Sequence, residues 1–182
     1  DKTAVVTGAA SGNGRAIAEM FADHGAAIVV ADIQTEPRQG GTPTHELINE
    51  QGGEAAFVEC DVTEYDDCVA AVEEAEEFGG VDIMVNNAGI VGPQVPLVEL
   101  DFDEYQSLMN INLTGVFHGS KAAALKMIEH GDGGSIINMS SVAGMNGYGG
   151  ITPYSAAKGG TRLFSYALAN ELGPDGIRAN AV

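Results

Sequence analysis

The sequence predicts an α/β fold in which a parallel sheet is covered by helices on both faces. Three observations carry that expectation. Short β-rich runs alternate with helical patterns along the whole chain. Those β-rich runs are nearly continuous in apolar residues, as strands buried on both sides are. A glycine-rich turn joins the first strand to the first helix, where doubly wound sheets of this class place their ligand crevice.

In chain order, "TAVVT" (3–7) is the first strand, and a helical pattern runs from the glycine turn to about His24, where Gly25 closes it. "AAIVVAD" (26–32) is the second strand. The segment "IQTEPRQGGTPT" (33–44), with two prolines and two glycines, reads as an exposed loop. A helix from about Thr44 to Gln51 ends at Gly52 and Gly53 and precedes the strand "EAAFVEC" (54–60). The next helix spans about Thr63 to Phe78 and ends at Gly79 and Gly80, before the strand "VDIMVNN" (81–87). A long helical region covers 102–130 and leads into "GGSIINMSS" (133–141). In "TPYSAAKGG" (152–160), Thr152 is the expected N-cap and Pro153 the first helical residue. That helix continues to Leu172, ahead of Gly173-Pro174, and "GIRANAV" (176–182) is the last strand. No linker interrupts the 182 residues, so a single domain over 1–182 is expected.

Composition excludes several classes of partner. Twenty-six acids face eight bases, a net charge of −18 that repels nucleic acid and anionic membrane alike. No apolar run approaches the length of a membrane span, and no secretory leader pattern precedes the first strand. Cys60 and Cys68 are the only cysteines and form no disulfide framework, which favours a reducing cytoplasm. The four histidines are scattered with no pair at metal-ligand spacing, so no metal site is expected. A large acid excess with only four lysines fits a halophilic source, where salt screens the self-repulsion; an ordinary acidic soluble protein is the plainer alternative.

The first turn, "TGAASGNG" (7–14), sets Gly8, Ser11, Gly12, Asn13 and Gly14 between a strand and a helix. Glycine allows the tight turn and close backbone approach to a pyrophosphate, and the helix N-terminus supplies N–H groups and positive potential. Asp32 ends the second strand, where a carboxylate accepts hydrogen bonds from both ribose hydroxyls and repels a 2′-phosphate. NAD is therefore expected over NADP, Arg38 being the one base placed to meet an extra phosphate. Further along, Tyr154 and Lys158 are four residues apart and share a helix face. The phenol lies in the opening turn, where negative charge is stabilised. Taken alone, such a pair is usually no more than an amphipathic edge.

"TGAASGNG", "DV" (61–62), "NNAG" (86–89), "NLTG" (112–115), "SS" (140–141) and "YSAAK" (154–158) occur in this order. Together they resemble the short-chain dehydrogenase/reductase (SDR) family over essentially the whole chain. The resemblance implies a Rossmann-like domain that carries both cofactor and active site. It makes Tyr154 the catalytic acid/base, Lys158 its partner, Ser141 the carbonyl-binding hydroxyl and Asn112 the fourth member. Asp61 and Val62 then lie along the adenine, and Asn87, Ala88 and Gly89 line the cofactor, which Tyr154 and Lys158 also touch. A free phenol titrates near 10 and needs help to act as a base at neutral pH. A neighbouring ammonium and the positive nicotinamide of NAD⁺ both favour the phenolate.

Ser140 is the rival to Ser141; neighbours on a strand face opposite sides, and the family spacing selects Ser141. Without the other three residues, Asn112 would read as a buried amide satisfied by backbone. Two departures stand out: Asn13 replaces the usual aliphatic residue, and the family continues beyond "NAV" with a Pro-Gly turn, a substrate loop and a final strand. A native protein longer than these 18.7 kDa is therefore expected.

The implied activity is NAD-dependent interconversion of a secondary alcohol and a ketone, of the sugar or polyol dehydrogenase or 3-oxoacyl reductase type. A homodimer or homotetramer pairing through the 102–130 and 154–172 helices is implied as well. A catalytically silent NAD-binding sensor or scaffold is the alternative. The G-x-x-x-G-x-G spacing speaks against an epimerase or dehydratase.

Overall fold

The computed structural model describes residues 2–182. Its strands are β1 (Lys2–Thr7), β2 (Ala26–Asp32), β3 (Ala55–Glu59), β4 (Ile83–Asn86), β5 (Gly134–Asn138) and β6 (Ile177–Ala181). They form one sheet of order β3-β2-β1-β4-β5-β6, every pairing parallel. The connecting helices are α1 (Gly12–Asp23), α2 (Thr44–Glu50), α3 (Tyr65–Glu74), α4 (Phe102–Met109), α5 (Gly115–His130), α6 (Ala143–Asn146) and α7 (Thr152–Leu172). The order reverses between β1 and β4, and a crevice opens at the carboxyl ends of strands at such a switch point.

Strand periodicity sorts the core into two layers. Val5, Val29, Met84 and Ile136 point to one face and pack with Cys68 and Val72 of α3 and Ala123 and Met127 of α5. Their neighbours Ala4, Val6, Ile28, Val30 and Val85 point to the other, against Ala18 of α1 and Ile48 of α2. Helices thus cover both faces, as the sequence predicts, and each fully buried Val, Ile or Met contributes roughly 1.5–3 kcal/mol. β6 is the exception. It alternates buried Ile177 and Ala179 with exposed Arg178 and Asn180, the pattern of a strand with one covered face.

Local expectations are met in part. The region 102–130 is helical throughout, as expected, with a π turn at Asn110–Thr114 between α4 and α5. Its cause is Asn112, whose Nδ2 donates to the Leu108 carbonyl at 3.0 Å and competes with the helix for that acceptor. The helix expected over 63–78 is α3 followed by a 3-10 turn at Ala75–Phe78. Thr152 is not the N-cap of α7: Ile151 is, without a side-chain capping bond, so Thr152 and Pro153 are the first two helical residues. Tyr154 still falls in the opening turn. The 33–44 segment is a loop, as expected, but only half of its residues are exposed and it is tethered: Arg15 donates to the Thr42 carbonyl at 2.8 Å and Thr44 to the Ala9 carbonyl at 2.9 Å.

Candidate functional site

The glycine turn is built by steric necessity. Gly8 and Gly12 have φ of +66° and +56°, a region that side chains avoid. Gly14 sits under the turn, where a Cβ would collide with the Gly8 carbonyl oxygen. Ser11 caps α1 in extended backbone geometry but makes no side-chain capping bond; its Oγ instead accepts from the Arg38 amide at 2.8 Å. The first-turn N–H groups of α1 therefore face outward with no side-chain acceptor, the arrangement that binds an anion.

Strands β1 and β4 are sewn together beside this turn. Thr7 Oγ1 accepts from the amides of Asn87 and Ala88, each at 3.0 Å, and Asn87 Nδ2 donates to the Thr7 carbonyl at 2.9 Å and the Gly8 carbonyl at 3.3 Å. Asp32 ties in the end of β2, its Oδ2 accepting from the Ala10 amide at 3.0 Å. After β3, Asp61 Oδ1 accepts from the Thr63 amide and hydroxyl at 2.9 and 2.8 Å, which fixes the turn that carries Val62.

One cavity of about 800 Å³ runs along this edge. Gly8, Ser11, Gly12, Asn13 and Asp32 line it, and so do Asp61, Val62, Asn87, Ala88 and Gly89. Asn112, Tyr154 and Lys158 line the same space. Gly14 lies beneath the wall, and Ser141 stands outside it.

Lys158 is 4% exposed, has no carboxylate partner, and donates from Nζ to the Met139 carbonyl at 2.7 Å. Its Nζ lies 5.7 Å from the centroid of the Tyr154 ring. Burial pulls the lysine down to about 8 from its ordinary 10.5, since desolvation disfavours the charged form. Asn112 is fully buried; its Nδ2 also donates to the Ile90 carbonyl at 2.9 Å, and its Oδ1 accepts from the Ile90 amide at 3.2 Å. Its amide is thus satisfied by backbone, and its contribution to the wall is to fix the segment after β4.

Ser140 and Ser141 do not alternate as strand neighbours, because β5 stops at Asn138. Ser140 Oγ is committed as a donor to the Lys158 carbonyl at 2.8 Å. Ser141 Oγ accepts from the Ala143 amide at 3.1 Å, which leaves its proton free to donate.

Sequence reasoning missed part of the wall. Asp103, Gln106, Ser107 and Asn110 line the cavity as a polar stripe, and their i, i+3, i+4, i+7 spacing was a visible signal. Cys60 also lines it; the neighbouring Cys68 and burial push its thiol up, away from nucleophilic character. Arg38, which the sequence singled out as the one base placed to meet an extra phosphate, reaches the cavity from the 33–44 segment; Gln39 beside it was missed, with no periodicity to betray it.

Comparison with known proteins agrees with this fold. The family model described as "short chain dehydrogenase" matches residues 2–182. Zerumbone synthase from Zingiber zerumbet is 42% identical over 185 residues, covering all of this chain and 67% of the relative. Cis-4-hydroxycyclohexanecarboxylate dehydrogenase from Sinomonas cyclohexanicum is 39% identical over 183 residues, covering all of this chain and 72% of that protein. Among solved structures, carveol dehydrogenase from Mycobacterium avium in complex with NAD superposes with a TM-score of 0.91 at 35% identity, over 99% of this chain and 69% of the other.

Proposed function

The chain belongs to the short-chain dehydrogenase family, and from that premise we propose that it interconverts a secondary alcohol and a ketone with NAD, using Tyr154 as general acid/base. One observation carries this reading: Tyr154 and buried Lys158 open onto the same cavity as the glycine turn and Asp32. A dinucleotide fits the residues present. The Gly8–Gly14 approach leaves room that a Cβ would fill, and the first-turn amides of α1 offer an anion site. Gly8, Ser11, Gly12 and Asn13 would hold the pyrophosphate, Asp32 the adenosine ribose, and Asp61 and Val62 the adenine. Asn87, Ala88 and Gly89 would support the nicotinamide half. When bound, the nicotinamide supplies the hydride acceptor or donor.

The chain's own groups move the proton. Tyr154 Oη takes the alcohol proton in oxidation and returns it in reduction. Lys158 stabilises the phenolate through its positive charge and is positioned by the Met139 carbonyl. Ser140 lines the cavity but its hydroxyl is committed to the Lys158 carbonyl; Ser141 stands outside the lining with its proton free, and it is the hydroxyl we assign to orient the substrate oxygen. Asn112 holds the backbone at Ile90 and so shapes the wall.

The decisive experiment is a screen of secondary alcohols with NAD⁺ and NADP⁺, at high and low KCl. Binding of NADH without oxidation of any alcohol would instead support the sensor or scaffold. NAD is the cofactor we assign, because Asp32 lines the cavity and the carveol dehydrogenase relative was solved with NAD. Asp32→Asn keeps an acceptor for the Ala10 amide and removes the charge. Its expected effect is a rise of about 10-fold or more in kcat/KM for NADP⁺ relative to NAD⁺, since like charges in contact cost several kcal/mol. An unchanged ratio would mean that Asp32 does not select the cofactor.

Phe117, Leu125, Ile128, Leu163 and Tyr166 are exposed on α5 and α7, which favours pairing of copies through those helices. No helix among the described residues is long and apolar enough to cross a membrane. Cys60 and Cys68 are free and buried, and it is on that ground that we assign a reducing, cytoplasmic location. Eight bases cannot pair 26 acids, so surface repulsion is built in and a saline environment suits the chain. Raising KCl from about 0.1 M to about 2 M is expected to raise Tm by screening; a flat or falling Tm would count against a halophilic source.

A further inference from the structure

Behind the cavity lies a run of polar side chains in what is otherwise an apolar interior. Asn112, Ser120, Asn138, Thr161 and Ser165 are fully buried, and Asn86 is 3% exposed. Burying such groups is costly unless they are hydrogen-bonded. Asn86 Nδ2 donates to Ser120 Oγ at 3.0 Å and to Asn138 Oδ1 at 2.8 Å. Asn138 Nδ2 donates to Ser165 Oγ at 2.9 Å, and Ser165 Oγ to the Thr161 carbonyl at 2.8 Å. Thr161 Oγ1 reaches the Ala157 carbonyl at 3.0 Å and the Asn112 carbonyl at 3.3 Å. Within this run Asn86 Oδ1 is the one atom without a partner, and it faces Gly119, where a Cβ would collide with it.

Two features connect this run to Lys158. First, Tyr154, Lys158, Thr161 and Ser165 stand at i, i+4, i+7 and i+11 on α7, a single helix face. Asn138–Ser165 is the one side chain–side chain hydrogen bond between α7 and the sheet among the described residues. Second, the residues after Asn138 grip Lys158 at both ends: Met139 accepts from Nζ, and Ser140 Oγ donates to its carbonyl. Met139 is itself held through its amide by the Asn86 carbonyl at 3.0 Å. Apolar packing between α7 and β5 resists separation but sets register weakly, because it is non-directional. A hydrogen bond loses strength steeply with misalignment.

We propose that Asn138 and Ser165 are positioning residues: their hydrogen bond sets the rotation and register of α7 against β5, so that Lys158 Nζ meets the Met139 carbonyl and Tyr154 faces the cavity. This rests on the dehydrogenase function proposed above for Tyr154 and Lys158. Misplacement of a reacting group by a fraction of an ångström is enough to cost an order of magnitude in rate.

The test compares Ser165→Ala with Ser165→Thr, which keeps a hydroxyl. Ser165→Ala is expected to lower kcat about 10-fold while the Kd for NADH stays within about 2-fold of wild type, and Ser165→Thr to recover most of the rate. A Ser165→Ala protein with wild-type kcat, even at lower Tm, overturns the proposal, because the network then serves stability alone. So does a loss of NADH affinity in parallel with kcat, or a Ser165→Thr protein no faster than Ser165→Ala. If wild type turns over no alcohol, the dehydrogenase function fails separately. The positioning claim is then read from the Lys158 Nζ titration by NMR after reductive methylation: a displaced titration in Ser165→Ala supports it, and an unchanged one overturns it.

Discussion

Tyr154→Phe is expected to lower kcat by about a thousandfold while NADH binds as it does to wild type. The substitution removes one oxygen and keeps the ring. No hydrogen bond to Tyr154 Oη is made by any described residue, so stability changes little, within about 0.5 kcal/mol. The loss falls on the proton transfer: with no acid or base at that position, the alcohol oxygen must exchange its proton with water. Stopped-flow hydride transfer, NADH titration and a urea melt on the same preparation separate the three quantities. Residual turnover above about a tenth of wild type would remove Tyr154 from the chemistry. Loss of NADH binding would make it a cofactor ligand first.

Lys158→Met is expected to abolish most turnover and yet to stabilise the protein without cofactor at pH 7. Burial lowers Lys158 from 10.5 to about 8, so the folded state at pH 7 carries an ammonium that it solvates poorly. At about 1.4 kcal/mol per pH unit, the penalty is at most roughly 3 kcal/mol. The sign follows from proton counting. Between pH 8 and 10.5 the unfolded chain holds the Lys158 proton more tightly than the folded one, so stability rises with pH across that window. The full penalty applies below about pH 8 and vanishes above 10.5. Urea denaturation of both proteins at pH 7 and pH 10 isolates the effect, because other titrations cancel in the difference. The variant should lead clearly at pH 7 and by much less at pH 10. A wild type more stable than Lys158→Met at pH 7 would show that the site solvates the ammonium well.

The sheet was legible because its signals are local and repeated. Apolar runs such as "AAIVVAD" and the glycine closures at Gly25, Gly52 and Gly79 mark strands and helix ends with little help from distant contacts. Cofactor-side candidates were legible for a related reason: a turn that tolerates no side chain must be glycine, and Gly8, Gly12 and Gly14 are. What escaped depends on partners far apart in sequence. The π turn arises where Asn112 bonds Ile90 and Leu108, and no window of sequence contains that competition. Thr152 has the composition of a cap, but backbone geometry gives the position to Ile151. The inference from strand alternation at Ser140 and Ser141 failed because β5 ends early, and strand ends are set by which neighbour remains to pair. Gln39 reaches the cavity because the amide of its neighbour Arg38 ties the 33–44 segment back onto Ser11.

The Thr7–Asn87 stitch has a broader consequence. It makes the carboxyl ends of β1 and β4 a stiff keel, with three side chain–backbone bonds of 2.9–3.0 Å across the switch point. The segment around 90–100, which enters the cavity wall at Ile90 and Val91, has few comparable ties beyond Ile90 and only a single-turn 3-10 helix. Sequence drift there can therefore retune which molecules enter while the keel stays put, and a newly acquired preference leaves the machinery below untouched.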